Sequence, residues 1–257
     1  MNAQGNLVAL YTIVRREVAR ILRIWSQTLL PPAITMTLYF VIFGSLIGSR
    51  IGDMHGFRYI DYIVPGLIMM SVIQNAYGNI SSSFFGAKFG RFVEEMLISP
   101  TPSWVILTGY VAGGVLRGLM VGAIVLVVAM LFTRIHLYHP FVTLSTFVLA
   151  SVVFALAGFV NAVFAKKFDD IAIVPTFVLT PLTYLGGVFY SVDLLPEPWH
   201  TLSLANPILY MVNAFRYGLL GVADIGIGTA YTVMVGFAVV LAAVGMNLLK
   251  RGVGLRS

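Results

Sequence analysis

Few side chains in this sequence have the types and spacing that catalysis requires. His136 and His139 stand three residues apart and could share a helix face, but no HExxH pattern or third ligand accompanies them. Cysteine is absent, no serine lies in a GxSxG turn, and no GxxxxGK[ST] loop could bind a nucleotide. We therefore predict that the chain is not an enzyme and holds no metal or cofactor of its own.

The composition predicts a membrane protein. Of the 257 residues, 59% are hydrophobic and only 10% are charged, with a mean hydropathy of +0.93, whereas soluble domains contain about 25% charged residues. The same figures exclude a disordered chain. A net charge of +6 is low for nucleic-acid binding in so apolar a chain. We predict a single all-α polytopic domain over residues 1–257.

Six apolar stretches are long enough to cross about 30 Å of hydrocarbon as helices. The predicted spans are Ser26–Gly48, Ile60–Phe85, Trp104–Phe132, Phe141–Phe164, Ile171–Tyr190 and Ala230–Leu249. Six crossings place both termini on one side, and most of the lysines and arginines fall there: Arg15, Arg16, Arg20, Arg23, Lys88, Arg91, Lys166, Lys167, Lys250, Arg251 and Arg256. The positive-inside rule predicts that this side is the cytoplasm.

The segment before the first span has an amphipathic pattern. Residues 7–25 carry an apolar stripe at helical spacing, while Arg16, Arg20 and Arg23 point away from it. This predicts an interfacial helix lying flat on the cytoplasmic face of the membrane. The alternative is a positively charged flank that only orients the first span.

A second amphipathic segment lies between spans two and three. Residues 86–103 predict a short cytoplasmic helix with Lys88, Arg91, Glu94 and Glu95 on one side and apolar residues on the other. Arg91 and Glu95 are four residues apart and could pair. The residues alone leave two interpretations open, a passive connector and a helix that docks into a soluble partner.

The segment over residues 193–221 is too interrupted to span the membrane and too apolar to be a free loop. Pro196, Pro198 and Pro207 break it, and Asn206 before Pro207 favours a turn. We predict an outer re-entrant helical hairpin between spans five and six. Such a hairpin must be shielded by protein or line a wet cavity, so it either lines a passage or only plugs the outer surface.

Polar residues inside the spans have two interpretations, hydrogen bonds between helices and the lining of a cavity. They include Gln74, Asn75, Asn79, Thr180 and Tyr184. Arg117 lies near mid-depth in span three and needs an anionic, carbonyl or water partner, which leaves a transport role and a structural contact equally open.

Span three also carries a ladder of glycines at four-residue spacing, Gly114, Gly118 and Gly122. This spacing predicts close packing against another helix, in the same or in a second subunit.

Together these features resemble a family. The N-terminal helix, the six spans, the segment GAKFGRFVEEMLISPTP and the block LTPLTYLGGVFYSVDLLPEPWHTLSLANPILYMVNAFRYGLLG are similar to a type-2 ABC exporter permease. The similarity runs from about Val14 to the C-terminal RGVGLRS, and it is closest to bacterial nodulation-factor and drug exporters.

The resemblance implies roles for particular residues. ATPase coupling would involve Lys88, Phe89, Arg91, Glu94, Glu95, Arg16, Arg20 and Arg23. The outer gate would be formed by Pro196, Trp199, Asn206, Pro207 and Tyr210. The substrate path would be lined by Gln74, Asn75, Asn79, Thr180 and Tyr184. No family motif covers Arg117.

The resemblance also implies an assembly of two permease protomers with two ABC ATPase subunits, which would bind the ATP and Mg²⁺. We predict a permease homodimer in the bacterial cytoplasmic membrane, with a heterodimer as the alternative. The polar but weakly charged spans suggest an amphiphilic substrate such as a lipid-linked glycan, a lipid or a hydrophobic drug. An ion-coupled secondary carrier is the rival, although the chain lacks the internal repeats typical of carriers. An intramembrane enzyme is disfavoured because its catalytic residues are missing.

Overall fold

The computed structural model describes residues 2–254, apart from the side chains of Ser45 and Ser49. The α-helices are α1 (Ala3–Arg23), α2 (Trp25–Tyr39), α3 (Gly48–Ile51), α4 (Tyr59–Phe89), α5 (Phe92–Ile98), α6 (Ser103–Ala129), α7 (Pro140–Phe164), α8 (Asp170–Val174), α9 (Thr180–Leu185), α10 (Trp199–Leu204), α11 (Pro207–Leu220) and α12 (Ile227–Arg251). The π-helical segments Phe40–Ile47 and Pro175–Leu179 continue α2 and α8, and an antiparallel hairpin, β1 (Asp53–Met54) and β2 (Phe57–Arg58), precedes α4. Arg256 lies outside the described residues.

Four helical segments are long and apolar enough to cross a membrane. They are Trp25–Gly44, Ser103–Ala129, Pro140–Phe164 and Ile227–Arg251, which match the first, third, fourth and sixth predicted spans. The second predicted span lies in α4, which has 31 residues but carries several polar side chains in its second half. The fifth lies in the shorter apolar helix Asp170–Leu185. The structure therefore supports an all-α membrane protein with four clear candidate spans.

The centre of the fold is a contact among three helices, in which α6 packs against both α4 and α7. An added Cβ at Gly114, Gly118 or Gly122 would lie no more than 3.0 Å from an α7 side chain and no more than 3.1 Å from an α4 side chain. The α7 neighbours are Ala155, Ser151 and Phe147, and the α4 neighbours are Ile80, Ala76 and Val72. The glycine ladder thus packs inside one subunit, so it supplies no surface for a second protomer.

A further glycine sets the distance between α4 and α7. An added Cβ at Gly158 of α7 would lie 2.4 Å from the carbonyl oxygen of Tyr77 in α4. This neighbour is backbone and cannot move aside as a flexible side chain could. The two helices can therefore approach this closely only because residue 158 has no side chain.

The first helix packs along α6. Added Cβ atoms at Gly109 and Gly113 would each lie 2.7 Å from the side chains of Ile13 and Glu17, respectively. Successive turns of α1 thus meet successive turns of α6, and Glu17 is 1% exposed. The prediction of an amphipathic helix is confirmed over α1. Its apolar stripe is exposed at Leu7, Tyr11 and Leu22 and buried at Ile21.

We expect Gly158→Ala to lower the thermal unfolding temperature of the detergent-purified protein. The added methyl group must push α7 away from the α4 backbone, and such overpacking costs about 1–3 kcal/mol. Gly78→Ala in α4 is the matched control, because nothing lies within 4 Å of a Cβ at that position. An unchanged unfolding temperature for Gly158→Ala would show that the α4–α7 distance is not a constraint.

Candidate functional site

The connection between α4 and α6 forms an exposed surface, called here the α5 apex (residues 89–98). The predicted helix over 86–103 is shorter than expected, because α4 continues through Phe89 and α5 begins at Phe92. Arg91 has a left-handed backbone conformation, with φ of 60°, and turns the chain between the two helices. Val93 is 1% exposed and anchors α5 to the core.

Aromatic and charged side chains share the exposed side of the α5 apex. Phe89, Phe92 and Ile98 are 66%, 52% and 86% exposed, and Arg91 and Glu95 are exposed beside them. The sequence pattern predicted the aromatic and charged residues on opposite sides of one helix. That prediction fails because the helix starts later than expected. The result is a surface that presents both rings and charge, while Glu94 is half-buried.

Lys88 does not belong to this surface. It lies in the last turn of α4, and its Nζ donates to the carbonyl oxygens of Val163, at 2.6 Å, and Ala165, at 2.7 Å. The last carbonyls of a helix have no intrahelical partner, so Lys88 completes the end of α7. The prediction that Lys88 lies beside Arg91, Glu94 and Glu95 on one helix is therefore wrong.

The turn between α7 and α8 extends the α5 apex. The Phe168 ring packs against the rings of Phe85 and Phe89, with centroids 5.0 and 5.1 Å apart. The backbone N–H groups of Lys166 and Lys167 donate to Asp170 and hold the pKa of that carboxyl below its ordinary value. The turn is thereby fixed next to the exposed rings.

The three α1 arginines do not behave alike. Arg16 and Arg23 are exposed, whereas Arg20 turns towards α4. Its guanidinium pairs with Glu17 at 3.0 Å and donates to Asn79 Oδ1 at 2.7 Å. The predicted outward position of Arg20 is wrong, because buried Glu17 supplies a partner on the inner side of α1.

Glu17 was not among the predicted site residues. Its carboxylate accepts from Ser83 Oγ at 2.5 Å, and Asn79 is fully buried against the same group. We call Glu17, Arg20, Asn79 and Ser83 the α1–α4 cluster. A carboxylate three residues before an arginine in an amphipathic helix was the signal that could have revealed it.

A cavity of about 260 Å³ lies between α2, α4 and α6. Gln74 and Asn75, two of the predicted path residues, line it together with Arg117. Asn79 lies one turn further along α4, in the α1–α4 cluster. Thr180 and Tyr184 do not line this cavity: the Thr180 hydroxyl donates to Pro175 at 2.9 Å, and Tyr184 stacks on Phe189 and is 45% exposed.

A buried arginine at the other end of α4 has several partners, which the sequence did not identify. Arg216 of α11 is fully buried, and its guanidinium lies 4.0 Å from the centre of the Tyr62 ring. It donates to the carbonyl oxygen of Gly187 at 2.6 Å and pairs with Asp224 at 3.9 Å. Val192 N–H donates to the same carboxylate at 3.0 Å. We call Tyr62, Arg216 and Asp224 the outer cluster.

The segment predicted as a hairpin contains two short helices, α10 and α11, separated by a break at Asn206. Asn206 is 1% exposed; its Oδ1 accepts the Ile208 N–H, and its Nδ2 donates to Leu182 at 2.5 Å. Pro207 occupies the first turn of α11. Tyr210 donates to the carbonyl oxygen of Leu204 at 2.7 Å, at the end of α10.

Trp199 begins α10 and is 51% exposed, and its backbone N–H donates to the carbonyl oxygen of Pro196 at 2.9 Å. Pro196 is itself exposed. The predicted gate residues therefore lie along one connected segment.

His136 and His139 do not form a metal site with other residues in the described part of the chain. Residues 2–254 contain no group of three His, Asp or Glu side chains that could hold an ion. His139 instead stacks on Tyr217, with centroids 5.5 Å apart and an interplanar angle of 18°. Its environment is that of an aromatic contact.

Comparison with known proteins agrees with this architecture. A family model described as ABC-2 type transporter matches residues 8–220. The chain is 58% identical over 250 residues to the inner membrane transport permease YadH of Escherichia coli (strain K12), covering 97% of this chain and 98% of that protein.

More distant similarity connects the chain to nodulation proteins. It is 24% identical over 215 residues to Nodulation protein J of Rhizobium leguminosarum bv. viciae, covering 83% of each chain. It is 25% identical over 185 residues to Nodulation protein J of Rhizobium leguminosarum bv. trifolii, covering 72% of this chain and 71% of that one. The predicted resemblance is confirmed. The chain belongs to the ABC-2 type transporter family and is a multi-pass membrane permease of an ABC transporter.

Proposed function

We propose that this chain is the transmembrane subunit of an ATP-driven exporter of an amphiphile in the bacterial inner membrane. The proposed topology has six spans, an outer re-entrant hairpin and both termini in the cytoplasm. Its orientation follows the distribution of Lys and Arg. The family match over residues 8–220 carries the proposal. The exposed rings and charges of the α5 apex supply a surface on which a separate ATPase could act.

The test is co-purification with a candidate ABC ATPase from the same organism, followed by amphiphile-stimulated ATP hydrolysis in lipid. The complex should bind ATP and Mg²⁺ through the ATPase, in two copies. Transport that continues without any ATPase, driven by an ion gradient, would favour a secondary carrier instead.

The α5 apex is the proposed coupling surface. Its rings project from the end of α4, at Phe89, and from α5, at Phe92, and Val93 anchors α5 to the core. Aromatic and Arg side chains are enriched at protein interfaces. Arg16 and Arg23 on the exposed side of α1 extend the proposed contact. Arg20 and Lys88 support it from within, because both are bonded to neighbouring helices.

We expect the triple variant Arg91→Ala, Phe92→Ala and Glu95→Ala to insert normally but to weaken ATPase capture about tenfold or more, which corresponds to about 1.4 kcal/mol. Transport should fall in parallel. Lys250→Ala removes an exposed cation at the end of α12 and is the matched control. Capture and transport at wild-type levels in the triple variant would refute coupling through the apex.

An exposed apolar surface on α2 and just after α8 is the proposed contact with a second protomer. Ile34, Leu38 and Ile42 on α2 and its continuation are 42–59% exposed, and Phe177 after α8 is 74% exposed. Phe43 of the α2 continuation packs on Phe189, which lies just beyond the end of α9, with ring centroids 5.0 Å apart. We infer that this surface, rather than the glycine ladder, forms the homodimer contact around the substrate path.

The cysteine-free sequence permits a direct test of the homodimer. We expect single variants Ile42→Cys and Phe177→Cys to give covalent dimers with a short bis-maleimide reagent in membranes, since one cysteine can react only with a second chain. Val239→Cys, on the exposed side of α12, should remain monomeric. Active particles whose mass contains one permease chain, or one chain and a related permease, would rule out the homodimer.

The α10–α11 segment is the proposed outer gate. Trp199 is exposed at its start, and Tyr210 holds the end of α10 through its hydroxyl. Both aromatics could instead act as interface anchors, since Trp and Tyr are enriched at membrane surfaces.

We expect Trp199→Ala combined with Tyr210→Ala to raise basal ATP hydrolysis of the complex and to uncouple it from transport. Tyr210→Phe, which removes only the hydroxyl bond, should show a smaller effect, and Leu202→Ala should show none. Lower protein levels with normal activity per molecule would identify anchors and contradict the gate.

A further inference from the structure

The cavity between α2, α4 and α6 contains a cation without a partner. Within residues 2–254, Arg117 makes no hydrogen bond or ion pair, and its Nε is buried and unsatisfied. The other arginines drawn into the bundle differ, since Arg20 pairs with Glu17 and Arg216 with Asp224. An ionised side chain at membrane depth is costly unless it is compensated, so this position calls for an anion from elsewhere.

Three further polar side chains of the cavity are also free to bind. Gln27, Thr35 and Gln74 line it, and none of these side chains makes a hydrogen bond to another described residue. Asn75 and Ser71 are turned to their own helix, where they donate to the carbonyl oxygens of Ser71 and Leu67, respectively. Two primary amides and a hydroxyl therefore line the same cavity as the guanidinium and are unused donors.

No acidic side chain lines this cavity, so its formal charge is that of Arg117. A planar guanidinium with neighbouring amide donors matches the oxygens of phosphate or carboxylate, which it can bind in a bidentate manner. A cation would be repelled, and an apolar group would leave these donors unpaired. The chemistry therefore selects a small oxyanion.

The size and surroundings of the cavity indicate the kind of molecule that carries the anion. The cavity has a volume of about 260 Å³, which is the volume of several water molecules at about 30 Å³ each. It is smaller than most pockets that bind whole drug-sized ligands. Pro31 lines its edge, and Leu30 beside it on α2 is 47% exposed. A headgroup fits inside, while an apolar chain can lie outside along α2.

The glycine ladder holds Arg117 in this position. Gly118 allows α6 to approach Ala76 and Val72 of α4, and this brings the preceding residue, Arg117, close to Gln74 and Asn75. We propose that Arg117 and Gln74 bind the phosphate group of an anionic amphiphile during transport. This inference rests on the proposed export function, whose amphiphilic substrate it narrows to an anionic class.

The test measures binding by the full-length permease in phosphatidylcholine nanodiscs, without the ATPase. We expect phosphatidic acid to raise the unfolding temperature of the wild-type protein and inorganic phosphate to do so only at much higher concentration. Arg117→Gln should weaken the apparent affinity for phosphatidic acid about tenfold, and Gln74→Ala should weaken it less. Lys250→Gln should bind phosphatidic acid like the wild type.

Basal stability separates this role from a structural one. Removing an unpaired charge should leave the ligand-free unfolding temperature of Arg117→Gln equal to or above that of the wild type, whereas loss of a structural contact would lower it and overturn the proposal. Undiminished phosphatidic acid affinity in Arg117→Gln, or stabilisation by inorganic phosphate alone, would also overturn it. Failure to capture any ATPase would instead overturn the export function, which this binding measurement does not use.

Discussion

The close contact of α6 with α4 and α7 is the constraint on which the rest of the structure depends. Apolar burial gives little drive for helix association in lipid, so close van der Waals packing must supply it. Gly114, Gly118 and Gly122 let both neighbours approach, and Gly158 lets α7 reach the α4 backbone. Because these positions bring the backbones together, nearby polar side chains meet without spanning a gap. The polar clusters along α4 lie where this packing places them.

The clusters along α4 compensate the positive charge of an arginine inside the protein in different ways. The α1–α4 cluster neutralises Arg20 with a buried carboxylate, and the outer cluster combines Asp224, a carbonyl and an aromatic ring around Arg216. These arginines can lie inside the protein because a carboxylate of the chain neutralises each of them, even though Arg20 Nε and Arg216 Nη1 make no hydrogen bond. Arg117 has no such arrangement. A fold that compensates two arginines and leaves a third uncompensated beside a cavity has the pattern expected where function is favoured over stability.

The first, third, fourth and sixth spans were predictable because length and apolarity are local properties, and α6, α7 and α12 begin and end within a few residues of expectation. The amphipathic α1 was equally visible. Contacts between distant segments were not: no spacing rule could show that Lys88 completes the end of α7, or that Asn79 faces Arg20. The sequence grouped Gln74 and Asn75 with Thr180 and Tyr184 by polarity and by the family resemblance, whereas in the structure only Gln74 and Asn75 of these four share a cavity with Arg117.

The helix that joins these sites is α4. Its last turn carries Lys88 and leads into the α5 apex, its middle carries Gln74 and Asn75, and its first turns carry Tyr62 beneath Arg216. An unbroken helix of 31 residues moves largely as a rigid body, so a displacement at one end shifts its other contacts unless the helix bends. Pro65 lies within it, near the outer cluster, and is the one position where the backbone ladder lacks a donor. Bending there would let the cavity and apex move together while the outer cluster stays fixed. A displacement applied at the α5 apex would therefore be passed along α4 to the Arg117 cavity, and a bend at Pro65 would take it up before the outer cluster.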